Sequence, residues 1–154
     1  MTLAQRAHAE ELMDADDLPL ETYAKVVADL AKVNAVTMAA RPTLAFLDRI
    51  APDDRALRIL DVGFGDGDML RRIRRWADKR GRAVDLVGVD LNPRSEVAAT
   101  RHTPEALRID YMTGDYANLA GERWDVVISS LVAHHMSHAQ LIAFLRFMEA
   151  EAQR

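Results

Sequence analysis

Cysteine is absent from this 154-residue sequence. Disulfides and Cys-ligated zinc are therefore excluded, which fits a reducing compartment. No apolar run reaches the roughly 20 residues that a membrane-spanning helix needs. The opening segment, MTLAQRAHAEELMDADD, has no apolar core of the secretory kind. These absences together predict a cytoplasmic protein without a membrane span. An excess of basic charge is missing too: the net charge is −4, which argues against nucleic acid as a partner. Internal repeats and low-complexity linkers are also lacking. What is present is a 49% hydrophobic chain, long enough for one buried core and one domain over 1–154.

Two regions follow each other along that domain. Residues 1–52 read as a helical arm or lid, and residues 53–154 alternate strand with helix. Within the arm, 20–34 is an amphipathic helix with Tyr23, Val26, Val27, Leu30 and Val33 at helical spacing. A second helix starts at Pro42 and turns Leu44, Phe46, Leu47 and Ile50 inward, ending at Pro52, Asp53 and Asp54. Tyr23, Met38 and Phe46 are readable either as a lid or as ordinary core.

The alternating region predicts strands at 57–62, 83–90, 107–113 and 124–130. A helix over 68–80 stops at Gly81, and Asn92-Pro93 opens a turn or another helix. Ser137 caps a last helix whose inner face is Leu141, Ile142, Leu145 and Met148. Such alternation implies an α/β fold, a Rossmann-like parallel sheet with helices on both faces. Ligands of these sheets bind beyond the carboxyl ends of the strands. The chemistry-bearing residues should therefore follow each strand.

The segment LRILDVGFGDG, residues 57–67, places Gly63, Gly65 and Gly67 at every second position after the first strand. Glycines there admit close approach of a ligand to the backbone, although a simple turn also uses one or two. A dinucleotide loop would carry its third glycine at position 68, where this chain has Asp68, with Asp66 two residues before it. Two carboxylates at a helix start disfavour a pyrophosphate and favour a cationic ligand. A nucleotide-dependent oxidoreductase is disfavoured on the same ground.

The pattern D-x-G-x-G-x-G, formed by Asp61, Gly63, Gly65 and Gly67, resembles the first motif of class I S-adenosylmethionine-dependent methyltransferases. The ELMD segment near Glu11 and the pair Val33-Asn34 resemble features of small-molecule members of the ubiquinone and menaquinone type. This resemblance implies S-adenosylmethionine as cofactor and S-adenosylhomocysteine as product. It further implies that the glycine loop wraps the methionine part, and that Asp90, with Leu91 beside it, holds the ribose hydroxyls. Asp115 would receive the adenine amino group, with Tyr116 beside the ring. Ser129, Ser130 and Leu131 would line the pocket, and His135 would act as general base or hydrogen-bond partner. Each has a plainer alternative: Asp90 as a helix cap, Gly114-Asp115 as a turn, His135 as a histidine packed near a helix start. His134, His135 and His138 show no metal-binding spacing, so no metal is expected. The arginine-rich helix Arg71 to Arg80 reads as a solvated exterior more readily than as a nucleic-acid face.

The resemblance spans about residues 10–154 of a pattern that ordinarily continues with further strands, the last two a hairpin. The fold is thus expected to be truncated after the fourth strand and its helix, leaving an open apolar edge. A partner chain, the N-terminal arm or a second copy is expected to cover it. The implied reaction is methyl transfer to a small lipophilic or aromatic acceptor. The competing expectation is a cofactor-binding or assembly module without catalysis.

Overall fold

The computed structural model of the chain describes residues 18–51 and 55–153. The segment near Glu11 and the helix-ending Pro52, Asp53 and Asp54 lie outside the described residues. Helix α1 (Leu20–Val36) and helix α2 (Arg41–Ile50) precede strand β1 (Leu57–Val62). Then follow α3 (Asp68–Arg80), β2 (Val84–Asp90), α4 (Pro93–His102), β3 (Ile109–Thr113), β4 (Val126–Ser129) and α5 (His138–Glu151). The strands form one sheet in the order β3-β2-β1-β4, every pair parallel. The α/β Rossmann-like architecture expected from the alternation is what the chain adopts.

Side-chain alternation along the strands divides the core between the two faces. Leu57, Ile59, Leu86 and Val126 point to one face, where Leu70, Ile73 and Trp76 of α3 and Leu47 of α2 cover them. Leu60, Val62, Val87, Val89 and Val127 point to the other, beneath Phe144 of α5. β1, paired on both edges and covered on both faces, needs its nearly unbroken apolar run.

The arm is tied on in two places. Tyr23 and Val27 of α1 bury against Ala98 of α4, and the Tyr23 hydroxyl meets Ser95 Oγ at 2.6 Å. Leu47 anchors α2 to the main core, and Trp76 Nε1 donates to Asp48 at 2.8 Å across the same seam. Described residues of the arm thus pack toward α3 and α4, away from the β4 edge. At that edge Trp124 forms a parallel bridge with Ala152, and the Gln153 amide donates to the Trp124 carbonyl at 3.1 Å.

Three sequence expectations shift. β3 begins at Ile109 because Pro104 leads into a 3-10 turn over Glu105–Leu107, and Arg108 has a φ of 47° that no strand accommodates. β4 is shorter at both ends, since Asp125 turns its carboxylate onto Arg55 and the Arg58 amide, and Leu131 takes a positive φ. The inner face of α5 is rotated from the expected one. Phe144 and Phe147 pack on the Tyr116 ring at 5.0 and 4.8 Å, with Met148 beside them. Ile142 and Leu145 are exposed. Aromatic area at 144 and 147 outweighs the aliphatic stripe that the spacing suggested.

Leu47 has no exposed surface and joins α2 to the sheet. Leu47→Ala is expected to cost about 2–5 kcal/mol, seen as a lowered urea midpoint with an unchanged far-UV spectrum before the transition.

Candidate functional site

β1, β2 and β4 all end at the same rim of the sheet, and chain order reverses between β1 and β4. A crevice forms at such a reversal. Here it is a cavity of about 520 Å³, within the range of a small-molecule site. Its floor is Asp61, Gly63, Phe64 and Gly65 from β1 and its loop. One wall comes from Asp90, Leu91 and Asn92, another from Gly114 and Tyr116. Ser130, Leu131, His134, His135 and Met136 close the β4 side, and α1 roofs the cavity with Val26, Val27, Leu30 and Ala31.

Asp90 sits at the end of β2, and its carboxylate accepts the Gly65 amide at 3.0 Å and the Asn92 amide at 2.9 Å. Each oxygen therefore takes one backbone donor and keeps a further lone pair for a ligand. Helix α4 is capped by the Asn92 side chain, which accepts from the Arg94 amide at 3.0 Å. The cap is Asn92, so Asp90 is not consumed by it.

Asp61 is almost fully buried, with 3% of its surface exposed. Burial, reinforced by the Asp90 charge, pushes its carboxyl up to about 7. Among the described residues no donor offsets that cost. Buried carboxylates normally have partners, so a cationic group in the cavity would be stabilised here.

The loop glycines have separate reasons. Gly65 has a φ of 55°, and a side chain there would meet nothing within 4 Å, because the position opens on the cavity. A Cβ at Gly63 would strike Val132 at 2.2 Å, and one at Gly67 would strike the Tyr111 hydroxyl at 2.3 Å. Gly67 is buried and does not line the cavity.

Asp66 and Asp68 both reach the cavity wall, but their charges are already matched. Arg71 and His102 pair with Asp66, and Arg72 holds Asp68 at 2.8 Å. Repulsion of an anion therefore falls to Asp61 and Asp90, a division the residue order does not reveal. Asp115 is exposed, and its carboxylate accepts the Ala117 amide at 2.9 Å as the cap of a short 3-10 turn. The cavity wall is formed by its neighbours Gly114 and Tyr116. Of the α3 arginines read as a solvated exterior, Arg71 and Arg72 instead face the loop acids, Arg74 donates to the Val84 and Arg108 carbonyls, and Arg80 pairs with Asp48. Sequence reading missed this division of labour. Of the lid candidates Tyr23, Met38 and Phe46, Tyr23 lines the cavity, together with Val26, Val27, Leu30 and Ala31 of the same helix. No helix among the described residues is long and apolar enough to cross a membrane.

Residues 59–150 match a methyltransferase domain family. The chain belongs to that family. A ubiquinone biosynthesis O-methyltransferase from Azorhizobium caulinodans is 40% identical over 95 residues, covering 60% of this chain and 34% of the relative. One of the same name from Cereibacter sphaeroides is 35% identical over 86 residues, 54% of this chain and 32% of the relative. The chain thus spans about a third of the length of these curated relatives. Two solved structures share the fold. A plantazolicin methyltransferase in complex with SAH aligns with a TM-score of 0.63 at 16% identity, over 92% of this chain and 51% of its own. A putative S-adenosyl-L-methionine-dependent methyltransferase from Methanococcus maripaludis aligns with a TM-score of 0.61 at 16% identity, over 90% and 62%.

The buried Asp61 gives the site a pH signature. Its carboxyl lies near 7 in the folded chain against 3.8 ordinarily, so the folded state holds the proton more tightly than the unfolded one. That contribution is complete below the ordinary value and is lost as pH rises through 7. The unliganded protein should therefore lose stability relative to Asp61→Asn between about pH 4 and 8, by up to roughly 4 kcal/mol. Paired denaturant titrations across that range measure the difference.

Proposed function

We propose that the cavity binds S-adenosylmethionine and that the protein transfers its methyl group to a small acceptor with apolar character. The observation that carries the reading is the meeting, in one cavity, of a buried carboxylate without a donor and a second carboxylate held by two backbone amides. Asp61, at the floor beside the glycine loop, faces the cationic methionine end. Asp90 takes the two ribose hydroxyls on the lone pairs left by Gly65 and Asn92. Leu91 and Tyr116 flank the adenine ring, and Asp115 meets its amino group by turning its free oxygen toward the rim. Gly63 and Gly65 keep the floor low enough for close approach, Gly67 lets the loop pass over Tyr111 behind it, and Ser130 borders the path to the acceptor.

The cofactor supplies an electrophilic methyl group on a sulfonium, already joined to a good leaving group. The residues then have chiefly to align the nucleophile, and alignment alone can lower a barrier by roughly 7–11 kcal/mol. Val26, Val27, Leu30 and Leu131 make the acceptor end apolar. His135 lines the same end and accepts the proton that a hydroxyl acceptor loses. The ubiquinone biosynthesis names of the curated relatives fit an oxygen nucleophile on an apolar molecule. In this reading the outer edge of β4 is covered by association, so sedimentation should show a species heavier than the monomer. A monomer at high concentration would remove that part.

Calorimetry with S-adenosylhomocysteine and with NAD tests the cofactor. S-adenosylhomocysteine should bind and NAD should not. Asp90→Ala should weaken binding by about 1.5–3 kcal/mol through loss of hydrogen bonds to a charged group. Affinity should rise between pH 6 and 8, because the ligand's ammonium group favours ionised Asp61 and drives its proton out. Equal affinity in Asp61→Ala, Asp90→Ala and the parent would remove the assignment. Methyl transfer to a panel of phenols and quinols tests the reaction; binding without transfer leaves a cofactor-binding module.

A further inference from the structure

Beneath the glycine loop, running back from Asp66 at the cavity wall, five side chains form a circuit. Arg71 donates from Nη1 to the Asp66 backbone carbonyl and from Nη2 to the Asp66 carboxylate. The other carboxylate oxygen meets His102 Nδ1. Arg71 and Asp66 keep only 8% and 5% of their side-chain surface. Arg71 Nη1 also reaches Thr103 Oγ1 at 3.3 Å. A guanidinium only donates, so the Thr103 hydroxyl accepts there and donates onward to the Tyr111 oxygen at 3.1 Å. Tyr111 in turn donates to the Gly67 carbonyl at 3.4 Å. Burial pushes the Tyr111 phenol up, which keeps its proton in place for that bond.

The circuit starts and ends on the same loop, gripping it at Asp66 and at Gly67. Buried ion pairs of this kind add little to stability over well-packed apolar residues. Their best attested use is to select one geometry. Here that geometry directs the Gly65 amide onto Asp90.

We propose that Arg71 is a positioning residue, whose two-point grip on Asp66 fixes the glycine loop in the shape that presents Gly65 and Asp90 to the ribose of the cofactor. This rests on the cofactor reading given above. Arg71 lines no part of the cavity and acts through Asp66. It also withdraws the Asp66 charge from the ligand, leaving Asp61 and Asp90 as the acids that select it. The charged and titratable groups facing Asp66 are Arg71 from α3 and His102 from α4, with Tyr111 of β3 one bond further along the circuit.

Arg71→Met and Arg71→Lys in the full chain test this with two readouts. The first is amide hydrogen exchange of residues 63–68 without ligand. The second is the dissociation constant of S-adenosylhomocysteine. In Arg71→Met the loop amides should exchange faster and the constant should rise about tenfold, equivalent to ~1.4 kcal/mol. Arg71→Lys keeps the charge without the fork, so its loss should be smaller. A folded variant with a lower melting temperature but unchanged loop exchange and an unchanged constant overturns the proposal. Should Arg71→Met fail to fold, Arg71→Lys decides by the same readouts. If the parent itself binds no S-adenosylhomocysteine, the cofactor reading falls, and the exchange rates alone then uphold or overturn the clamp.

Discussion

β1 is hydrogen-bonded along both edges and covered on both faces. A chain leaving so enclosed a strand has one way out, over the end of the sheet, and must turn sharply to begin the helix that covers it. That constraint explains the glycines, the cavity above them and the burial of Asp61 together. The register then does the rest: Asp61 lies opposite Gly88, while Val62 lies opposite Val89 and Ser129. The next residue of β2 is Asp90, so two carboxylates arrive at one rim from adjacent strands.

Much of this was legible in the order of residues. The bounds of β1 and α3 coincide with the apolar run, the glycines and the Gly81 stop. The positions of Asp61, Gly65 and Asp90 around one cavity follow from a single rule, that parallel strands deliver their last residues to the same side. What stayed hidden depends on contacts between elements. The arginines of α3 look alike in one dimension, and only the loop and α2 separate those paired with Asp66, Asp68 and Asp48. The rotation of α5 was hidden for a similar reason, since Tyr116, the ring that fixes it, comes from a turn after a different strand.

The arm shows how one helix serves two surfaces. Tyr23 and Val27 bury against α4, while Val26 and Leu30, a part-turn away, face the cavity. Packing holds the first pair. The second is left to a ligand, and Leu30 is 40% exposed. In the proposed reading, cofactor contacts gather on the sheet rim, and acceptor contacts on a helix attached through a modest seam. A change in acceptor preference would require fewer adjustments than a change in cofactor.

The two tryptophans have an optical consequence. Trp76 is locked between α2 and α3, and Trp124 lies at the opposite end of the sheet from the cavity, with the Arg58 guanidinium 4.5 Å from its ring centre. Neither borders the ligand space. Indole emission should thus follow melting of the core while staying nearly silent as the cavity fills. Tyr23 and Tyr116, whose rings do border it, are the built-in reporters of occupancy.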